Sequence, residues 1–339
     1  MALRALISGV TGQDGSYLAE LLLYKGYEVH GIARQTSQQN VTRVEHIGGQ
    51  ITIHHGDMTD YARLQEIVHR VKPDEVYNLA AQSHVHVSFE QPLYTTQVNA
   101  VAPVAIMNAL RECNRNGKFY QAATSEMFGA VTNDLQDEKT PFHPRSPYAC
   151  SKVAAYYQTM NYREAYGLWA CNGILFNHES PRRGEMFVTR KITRAATRIK
   201  EGLQDNLVLG NLNAQRDWGF AGDYVEAMWL MLNAEKPEDY VIATGCTRSI
   251  MDFLEEVFRY LELDWLKLVV ESEMFKRPSE VNYLCGNAIK ARMKLDWKPK
   301  VSFKELVRLM VDSDWEIAKA EKQGKTLPPI KPYWLPQAD

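Results

Sequence analysis

The sequence predicts a doubly wound α/β fold, in which helices cover both faces of a parallel sheet, followed by a smaller mixed α/β region. Three observations predict it. Strand-length apolar runs alternate with helical stretches over residues 1–175, which is the pattern of a parallel sheet. A glycine-rich turn directly follows the first of these runs. The length of 339 residues suffices for about two domains or one large α/β unit.

Local signals place the elements of the first part. Strands are predicted at 3–8, 28–33, 51–55, 75–80, 119–123 and 170–175, where apolar residues dominate short runs. The first helix is predicted at 16–24 because Gly26 closes it. Thr59 or Asp60 caps the second helix, which runs to about residue 70. A long helix is predicted to end near residues 116–117, and another helix occupies 148–166 before Gly167.

The pattern changes after residue 175, where basic loops and mixed segments replace the regular alternation. We therefore expect residues 1–175 to form a first domain, to which segments near 215–245 return. Residues 176–339 are expected to form a second, discontinuous domain. The proline density of residues 327–332 excludes a helix, so this terminal segment should be extended.

Charge and hydropathy exclude several classes of protein. The chain has 39 basic and 41 acidic residues and a net charge of −2, so a nucleic-acid-binding surface is not expected and phosphate recognition should be local. The uncharged stretch 91–110 is interrupted too often by polar residues and proline for a membrane span. The first predicted strand begins at residue 3, which leaves no room for a signal peptide. We expect a cytoplasmic protein.

Metal sites and disulfides are not expected either. The five cysteines lie far apart with no Cys-x-x-Cys spacing, and their number is odd. The nine histidines lack Cys or carboxylate neighbours at the spacing of metal ligands.

The turn after the first strand, Gly9-Val10-Thr11-Gly12-Gln13-Asp14-Gly15, predicts a dinucleotide site. Glycines allow a tight turn and a close approach of the backbone to a pyrophosphate, which rests on the N–H groups of the next helix. A glycine triplet alone is weak evidence, because ordinary turns also contain glycines. Its position between a strand and a helix favours a Rossmann-type fold.

Arg34 ends the second predicted strand, where an NAD-binding protein places an acidic residue on the ribose 2′-hydroxyl. A cation suits a 2′-phosphate, so the sequence predicts NADP, with Thr36 and Ser37 as additional donors. A solvated surface arginine would show the same pattern.

Two further segments follow strands at the edge where α/β sheets bind ligands. Asp57 follows the third strand, and Leu79-Ala80-Ala81-Gln82-Ser83 follows the fourth. Asp57 can accept from the adenine amine, and the small Ala80 and Ala81 can let the dinucleotide pass. Roles in turns and packing are equally compatible with these residues.

Tyr148 and Lys152 form a Tyr-x-x-x-Lys pair on one face of a predicted helix. A nearby ammonium is expected to lower the tyrosine pKa and make the phenolate a base for an alcohol. Many helices contain this pair by chance, but the glycine turn favours catalysis. Thr124-Ser125-Glu126 follows the fifth strand, where a hydroxyl can bind substrate and a carboxylate can act as acid or base, unless the segment is only a helix cap.

Longer strings resemble a known family. The glycine turn with Tyr-x-x-x-Lys resembles the extended short-chain dehydrogenase/reductases, and the longer strings resemble the GDP-mannose 4,6-dehydratases within them. These strings occupy residues 12–20, 77–85, 124–129, 176–184, 187–191 and 216–219, and the resemblance runs from about residue 6 to 311. The family usually has two arginines before small serines after strand two, whereas this chain has Arg34-Gln35-Thr36-Ser37.

The motifs and the resemblance together imply three sets of site residues. The catalytic set is Thr124, Glu126, Tyr148 and Lys152. The residues implied to bind NADP are Gly9, Thr11, Gly12, Gln13, Asp14, Gly15, Arg34, Asp57, Met58, Leu79, Ala80, Ala81, Ser83, Tyr94, Lys152, His178 and Arg183. Those implied to bind the GDP-sugar are Ser83, Ser125, Glu126, Asn177, Lys191, Arg216, Arg277 and Glu280. Three of the last set are cations of the kind that a diphosphate requires, although any one of them could instead belong to a solvated basic loop.

The resemblance implies the conversion of GDP-mannose to GDP-4-dehydro-6-deoxy-mannose and water, by oxidation at C4, elimination across C5 and C6, and hydride return to C6. It also implies a homodimer or homotetramer. A 4-epimerase or 4-keto-reductase would need Tyr148 and Lys152 but no acid/base at Glu126. A bifunctional dehydratase/reductase and a non-catalytic NADP-binding protein are also compatible with the same fold.

Overall fold

The computed structural model describes residues 2–36, 41–131, 135–272 and 281–335. The strands are β1 (Arg4–Ser8), β2 (Glu28–Ala33), β3 (Ile51–His55), β4 (Glu75–Asn78), β5 (Lys118–Thr124), β6 (Trp169–Leu175), β7 (Asn177–Glu179), β8 (Leu207–Leu209), β9 (Gln215–Phe220), β10 (Tyr240–Ile242), β11 (Thr247–Ser249) and β12 (Val269–Glu271). The helices are α1 (Gln13–Tyr24), α2 (Tyr61–Val71), α3 (Val85–Glu90), α4 (Pro92–Thr96), α5 (Ala102–Cys113), α6 (Pro147–Tyr166), α7 (Val188–Lys200), α8 (Ala221–Leu232), α9 (Ile250–Tyr260), α10 (Trp265–Leu268), α11 (Ile289–Leu295) and α12 (Phe303–Lys322).

Seven strands form one parallel sheet in the order β10-β6-β5-β4-β1-β2-β3. The chain runs outward from β1 in one direction to β3 and then in the other from β4, so a topological switch point lies between β1 and β4. Ligands of such sheets bind outside the carboxyl ends of the strands at this point. The predicted doubly wound α/β fold is confirmed.

The alternation of side chains along β1 explains why helices cover both faces. Ala5 and Ile7 belong to the apolar cluster that contains the buried residues of α1 and α8, whereas Leu6 belongs to the cluster formed by α2 and α5. All three side chains are fully buried. A strand that is apolar at every position must be buried on both faces, as parallel strands usually are.

Three element boundaries differ from the predictions by more than one residue. The first helix already begins at Gln13, and the fourth strand stops at Asn78 rather than residue 80 because the N–H groups of Leu79 and Ala80 donate to the Ser8 hydroxyl instead of to a strand. The predicted long helix is divided into α3, α4, a π-helical turn over Gln97–Val101 and α5, and it ends at Cys113.

Local chemistry explains this division. Pro92 opens α4, because its ring cannot continue α3 and lacks an N–H donor. Asn99, in the π-helical turn, exchanges hydrogen bonds with the backbone of Gln82: Asn99 Nδ2 donates to the Gln82 carbonyl at 3.0 Å and Asn99 Oδ1 accepts from the Gln82 N–H at 2.9 Å. The extra residue of the π turn lies where that side chain bonds the loop after β4.

The second half of the chain contributes to two places. β10 pairs with β6 and completes the large sheet, and α8 packs against α1, β5 and β6. β9, in contrast, lies between β7 and β11 in a separate three-stranded sheet, and β8 pairs with β12. None of the helices in the described ranges combines the length and the apolar character that a membrane span requires.

A largely buried ion pair between Arg163 and Asp239 connects β6, α6 and the segment before β10. Both Nη atoms of Arg163 donate to the Asp239 carboxylate at 2.9 Å, and the backbone and side-chain amides of Asn172 donate to the same carboxylate at 2.8 and 3.0 Å. The hydrogen bonding of Arg163 to the Asp239 carboxylate is the main cause of the raised pKa of Arg163.

We predict that Asp239→Ala lowers the free energy of unfolding by about 3 kcal/mol, because it leaves the Arg163 charge and the Asn172 amides without their acceptor. Urea denaturation checks this value. Glu235→Ala, at an exposed position four residues away, should change the same quantity by less than about 0.5 kcal/mol. Equal effects of the two substitutions would contradict the structural role of the pair.

Candidate active site

The glycine turn lies at the switch point and depends on the absence of side chains. Gly9 has a φ of +72°, and a Cβ there would lie 2.9 Å from the Ala80 Cα. A Cβ on Gly15 would lie 2.3 Å from the Gly9 carbonyl oxygen. α1 begins directly after Gly12, which has no side chain to cap the helix, so the first N–H groups of the helix point into the turn. This cradle fits a pyrophosphate.

A cavity of about 320 Å³ opens beside the glycine turn. It is lined by Thr11, Ala33, Arg34, Thr36, Val41, Ile53 and His55. Arg34 is exposed, and its Nη1 donates to the Tyr94 hydroxyl at 3.2 Å, so these two predicted NADP ligands lie together. Ser37 lies outside the described residues. Arg34 thus lies in a cavity next to the glycine turn, and its contact with a ribose phosphate stays a prediction.

Asp57 and Met58 follow β3 at the same edge. Asp57 Oδ1 accepts from the backbone N–H and the hydroxyl of Thr59 at 2.8 and 2.7 Å, which is the hydrogen bonding of an Asx turn. Met58 is buried among the residues that pack on α2. The turn role of Asp57 is therefore visible in the structure, while its adenine contact stays a prediction.

Asp14 and His178, both implied to bind NADP, form a buried ion pair with each other. His178 Nε2 donates to Asp14 Oδ2 at 2.8 Å, and His178 Nδ1 donates to the Phe176 carbonyl at 2.7 Å. Burial acts to raise the pKa of Asp14, but the His178 charge and hydrogen bond outweigh it and the pKa is lowered. Burial likewise opposes charge on His178, yet Asp14 raises its pKa. Each partner of the pair therefore favours the charged form of the other.

Gln13 joins this pair to the following loop. Its Nε2 donates to Asp14 Oδ1 at 2.9 Å and to the His178 carbonyl at 3.1 Å, and its Oε1 accepts from the Ser180 hydroxyl at 2.8 Å. Gln13 and Asp14 of the glycine turn thus hold β7 and the turn after it in place.

Leu79, Ala80 and Ala81 are partly buried beside the glycine turn, and Ser83 is exposed in the loop before α3.

Tyr148, Lys152 and Thr124 lie together and are buried. The Thr124 hydroxyl hydrogen-bonds the Tyr148 phenol, and Lys152 Nζ donates to the Ala122 carbonyl at 2.8 Å. Burial raises the pKa of Tyr148 to about 12 and lowers the pKa of Lys152 to about 8. The expected lowering of the tyrosine pKa by the ammonium is therefore not seen, because burial disfavours the charged forms of both groups.

Glu126 lies in the turn that follows Thr124, whose Oγ1 accepts from the Glu126 N–H at 3.3 Å. Arg216 of β9 places Nη2 3.6 Å from Glu126 Oε1. Glu126, the predicted acid/base, and Arg216, a predicted diphosphate ligand, thus come together although they are far apart in the sequence.

Ser125 is buried, with 2 % of its surface exposed, which leaves little of its hydroxyl for a ligand.

The remaining predicted substrate residues lie along β7 and α7. Asn177 is in β7 opposite Trp218 of β9. Lys191 Nζ donates to the Val208 carbonyl at 2.7 Å and lines a cavity of about 860 Å³ between α7, β8 and the end of α12. Burial lowers the pKa of Lys191. Arg277 and Glu280 lie outside the described residues.

Sequence reasoning missed a chain of buried polar side chains behind Lys152. Ser8 Oγ donates to Asn78 Oδ1 at 2.6 Å, Asn78 Nδ2 donates to Gln121 Oε1 at 2.8 Å, and Gln121 Nε2 donates to the Ala122 carbonyl at 3.1 Å. That carbonyl is the acceptor of Lys152. The signal in the sequence was a polar residue, Ser8, Asn78 or Gln121, within each of three neighbouring buried strands.

Arg183 depends on a second missed residue, Glu179. The Arg183 Nε lies 3.0 Å from Glu179 Oε2, which also accepts from the Thr189 hydroxyl at 2.5 Å. The Arg183 guanidinium stacks on Phe187, 3.7 Å from the ring centroid. No apolar pattern in the sequence marked Glu179, because all three residues of its strand, Asn177–Glu179, are polar. Within the described part of the chain, no group of three or more His, Cys, Asp or Glu could hold a metal ion.

Comparison with known proteins shows the family of the chain. The family profile described as GDP-mannose 4,6 dehydratase matches residues 6–310. GDP-mannose 4,6 dehydratase 1 of Arabidopsis thaliana is 58% identical over 330 residues, covering 94% of this chain and 91% of the plant protein. GDP-mannose 4,6 dehydratase of Homo sapiens is 49% identical over 343 residues, covering 93% and 92%. The solved structure of Thermus thermophilus UDP-glucose 4-epimerase with NAD has a TM-score of 0.81 at 27% identity, covering 92% of this chain and 99% of that chain.

The doubly wound sheet, the glycine turn and the buried Tyr148–Lys152 pair define the class of extended short-chain dehydrogenase/reductases. Within this class the family profile covers most of the chain, and relatives matched over most of their length share about half of its residues. The chain belongs to the GDP-mannose 4,6-dehydratase family. The resemblance found in the sequence strings is confirmed.

The lowered pKa of Lys152 has a measurable consequence for stability. Its pKa falls from an ordinary value of 10.5 to about 8 in the folded protein, so folding is penalised while the amine is charged, below about pH 8. At roughly 1.4 kcal/mol per pKa unit, the penalty is on the order of 3 kcal/mol and disappears as the pH rises from about 8 towards 10.5.

We predict that Lys152→Met abolishes turnover but raises the free energy of unfolding at pH 7, by up to about 3 kcal/mol. The Ala122 carbonyl keeps Gln121 as a donor, so the substitution orphans no backbone group. Denaturation of ligand-free protein at several pH values checks this, because the difference between variant and wild type should shrink above about pH 8. A difference that is independent of pH up to 10.5 would rule out the buried ammonium as its cause.

Proposed function

We propose that the protein is an NADP-dependent hydro-lyase that converts GDP-mannose to GDP-4-dehydro-6-deoxy-mannose and water. The observation that carries the proposal is the position of Glu126 beside Thr124 and Tyr148, at the edge of the sheet where ligands bind. An alcohol oxidation alone needs one base. A second acid/base beside it permits elimination as well.

The residues present fit a nicotinamide dinucleotide. The turn is too tight for a Cβ at Gly9 or Gly15, and no side chain caps the first N–H groups of α1, which suits a pyrophosphate. The cavity beside Arg34 adjoins this turn at Thr11. When bound, the dinucleotide supplies a hydride acceptor for C4 and the hydride that returns to C6. The solved epimerase that shares this fold contains NAD, and Arg34 favours NADP in this chain.

The side chains divide the proton transfers between them. Tyr148 in its phenolate form receives the proton of the 4-hydroxyl group, and its pKa of about 12 makes this form scarce at neutral pH in the ligand-free site. The Thr124 hydroxyl, which already bonds the phenol, orients the oxygen of the 4-hydroxyl group. The C4 ketone acidifies the hydrogen on C5, which Glu126 takes. The same carboxyl group then protonates the departing C6 hydroxyl, so that water leaves. Lys152 lies one turn along α6 from Tyr148 and holds positive charge below about pH 8.

Two cationic residues, Arg216 and Lys191, support the proposal that the sugar nucleotide binds here. Arg216 is buried 3.6 Å from Glu126, and guanidinium groups bind phosphate oxygens bidentately. The cavity of about 860 Å³ around Lys191 is large enough for a nucleoside. The diphosphate would then span the two cations.

We predict that wild-type protein converts GDP-mannose to a product lighter by one water without added reductant, and that Glu126→Gln lowers this rate by about 10²–10⁴-fold with NADP affinity retained. Mass spectrometry and NMR of the products check it. Glu164→Gln, a change of an exposed helical carboxylate, serves as the matched control. Near-normal dehydration by the Glu126 variant removes that residue from its role. A 4-epimer as product, or turnover of UDP-glucose with GDP-mannose inert, overturns the function.

We predict a tenfold to hundredfold preference for NADP over NAD that depends on Arg34. A charge-assisted hydrogen bond between a guanidinium and the 2′-phosphate contributes about 1.5–3 kcal/mol, and each 1.4 kcal/mol corresponds to a factor of about ten. Calorimetric titration of cofactor-stripped protein should show that Arg34→Ala binds both dinucleotides alike, whereas Arg115→Ala, at an exposed site in the loop before β5, keeps the preference. Full discrimination by the Arg34 variant would make that residue a surface charge only.

A further inference from the structure

Glu20 of α1 has a fully buried carboxylate, which accepts hydrogen bonds from three other parts of the chain. Arg182 Nη2 lies 2.5 Å from Glu20 Oε1, and His46 Nε2 lies 2.6 Å from the same oxygen. The backbone N–H groups of Tyr333 and Trp334 donate to Glu20 Oε2 at 2.7 and 3.2 Å. A buried carboxylate is stable only with such partners.

Two of these donors belong to the extended terminal segment, Lys331–Trp334, which we call the C-terminal strap. The Lys331 carbonyl accepts from Arg182 Nη2 at 2.9 Å. The Tyr333 ring forms T-shaped contacts with the rings of Tyr17 and Phe220, at centroid distances of 5.9 and 5.1 Å. The strap is therefore docked on α1 and on the strand before α8, far in sequence from both.

Arg182 connects this strap to the dinucleotide site. Its guanidinium stacks on Tyr17, 3.9 Å from the ring centroid, and its Nη1 donates to the Ser16 hydroxyl at 3.1 Å, both in α1. Its carbonyl accepts from Arg43 Nε at 2.7 Å. The next residue along the chain is Arg183, the predicted dinucleotide ligand, so the orientation of Arg182 sets the backbone from which Arg183 extends.

The same turn is held from its other side. Arg190 Nη1 donates to the carbonyls of Pro181 and Arg183, and its Nε donates to the buried Asp314 of α12 at 2.7 Å. Four guanidiniums, those of Arg43, Arg182, Arg183 and Arg190, thus surround one turn. Burial is the larger cause of the lowered pKa of Arg43, and proximity to the other arginines adds to it. The four positive charges repel one another, so the cluster needs the carboxylates and carbonyls that pair with it.

We infer that Glu20, Arg182 and the C-terminal strap are positioning elements of the dinucleotide site, through the turn that carries Arg183. The inference rests on the proposed function only for the role of Arg183 as a dinucleotide ligand. Loss of the strap removes two donors from Glu20 and one acceptor from Arg182, and admits water to their ion pair. Water weakens that pair and frees the turn to move. The strap touches none of the catalytic residues, so the chemical step itself is unaffected once the site is saturated.

The test compares two truncated proteins. One chain ends at Gly324 and lacks the strap, and the control chain ends at Leu335 and keeps it. We expect the dissociation constant for NADP to rise about tenfold or more in the first and to stay unchanged in the second. At saturating NADP, kcat with GDP-mannose should remain within about twofold of the wild type. A synthetic peptide of residues 325–339, added in trans, should restore the affinity.

Two results would overturn the inference. Equal NADP affinity in both truncated chains shows that the strap does not position the site. A lower kcat with unchanged affinity shows that it acts elsewhere. If the shorter chain fails to fold, full-length Glu20→Gln decides, since it keeps the size of the side chain and loses its charge: the same weakening is expected, and an unchanged dissociation constant again rejects the inference.

The readout separates this inference from the proposed function. NADP binding needs no sugar nucleotide, so a protein that binds NADP but leaves GDP-mannose untouched still tests the strap. Full-length protein that binds no dinucleotide at all contradicts the proposed function, and with it the positioning role.

Discussion

The ion pair between Asp14 and His178 determines how the two halves of the site meet. Asp14 belongs to the first turn of α1, and His178 to β7. β7 pairs with β9, which carries Arg216 to within 3.6 Å of Glu126. The position of the small sheet relative to the glycine turn, and with it the meeting of acid/base and diphosphate ligand, depends on this contact. Because the pair is buried, loss of either partner would leave an uncompensated charge.

The same rule governs the other buried charges around the turn after β7. Glu20 pairs with Arg182, Glu179 with Arg183 and Asp314 with Arg190. Each carboxylate is fully or almost fully buried, and each comes from a different element. Such pairs add little net stability compared with apolar packing, but they allow few other arrangements of the chain. We interpret these three ion pairs as contacts that fix the position of the basic turn after β7, and not as sources of stability.

Burial acts against charge at the catalytic pair, since it raises the pKa of Tyr148 and lowers that of Lys152. This burial lowers the stability of the folded protein. It also shields the site from water, which strengthens every electrostatic interaction with a ligand. Removal of Lys152 would relieve the cost and end the chemistry, which is the usual conflict between stability and activity at a catalytic site. The polar chain from Ser8 to Gln121 holds the acceptor on which Lys152 rests.

The sequence by itself determined what depends on neighbours along the chain. Strand and helix periods predicted the doubly wound sheet, the glycine spacing predicted the turn at Gly9, and a spacing of four placed Tyr148 and Lys152 on one helical face. Only the tertiary structure decided which groups pair. Asp14 and His178, or Glu20 and Tyr333, are distant in the sequence, and no spacing rule connects them. The pKa of Tyr148 was likewise beyond the sequence, because burial is set by every element that packs around the phenol.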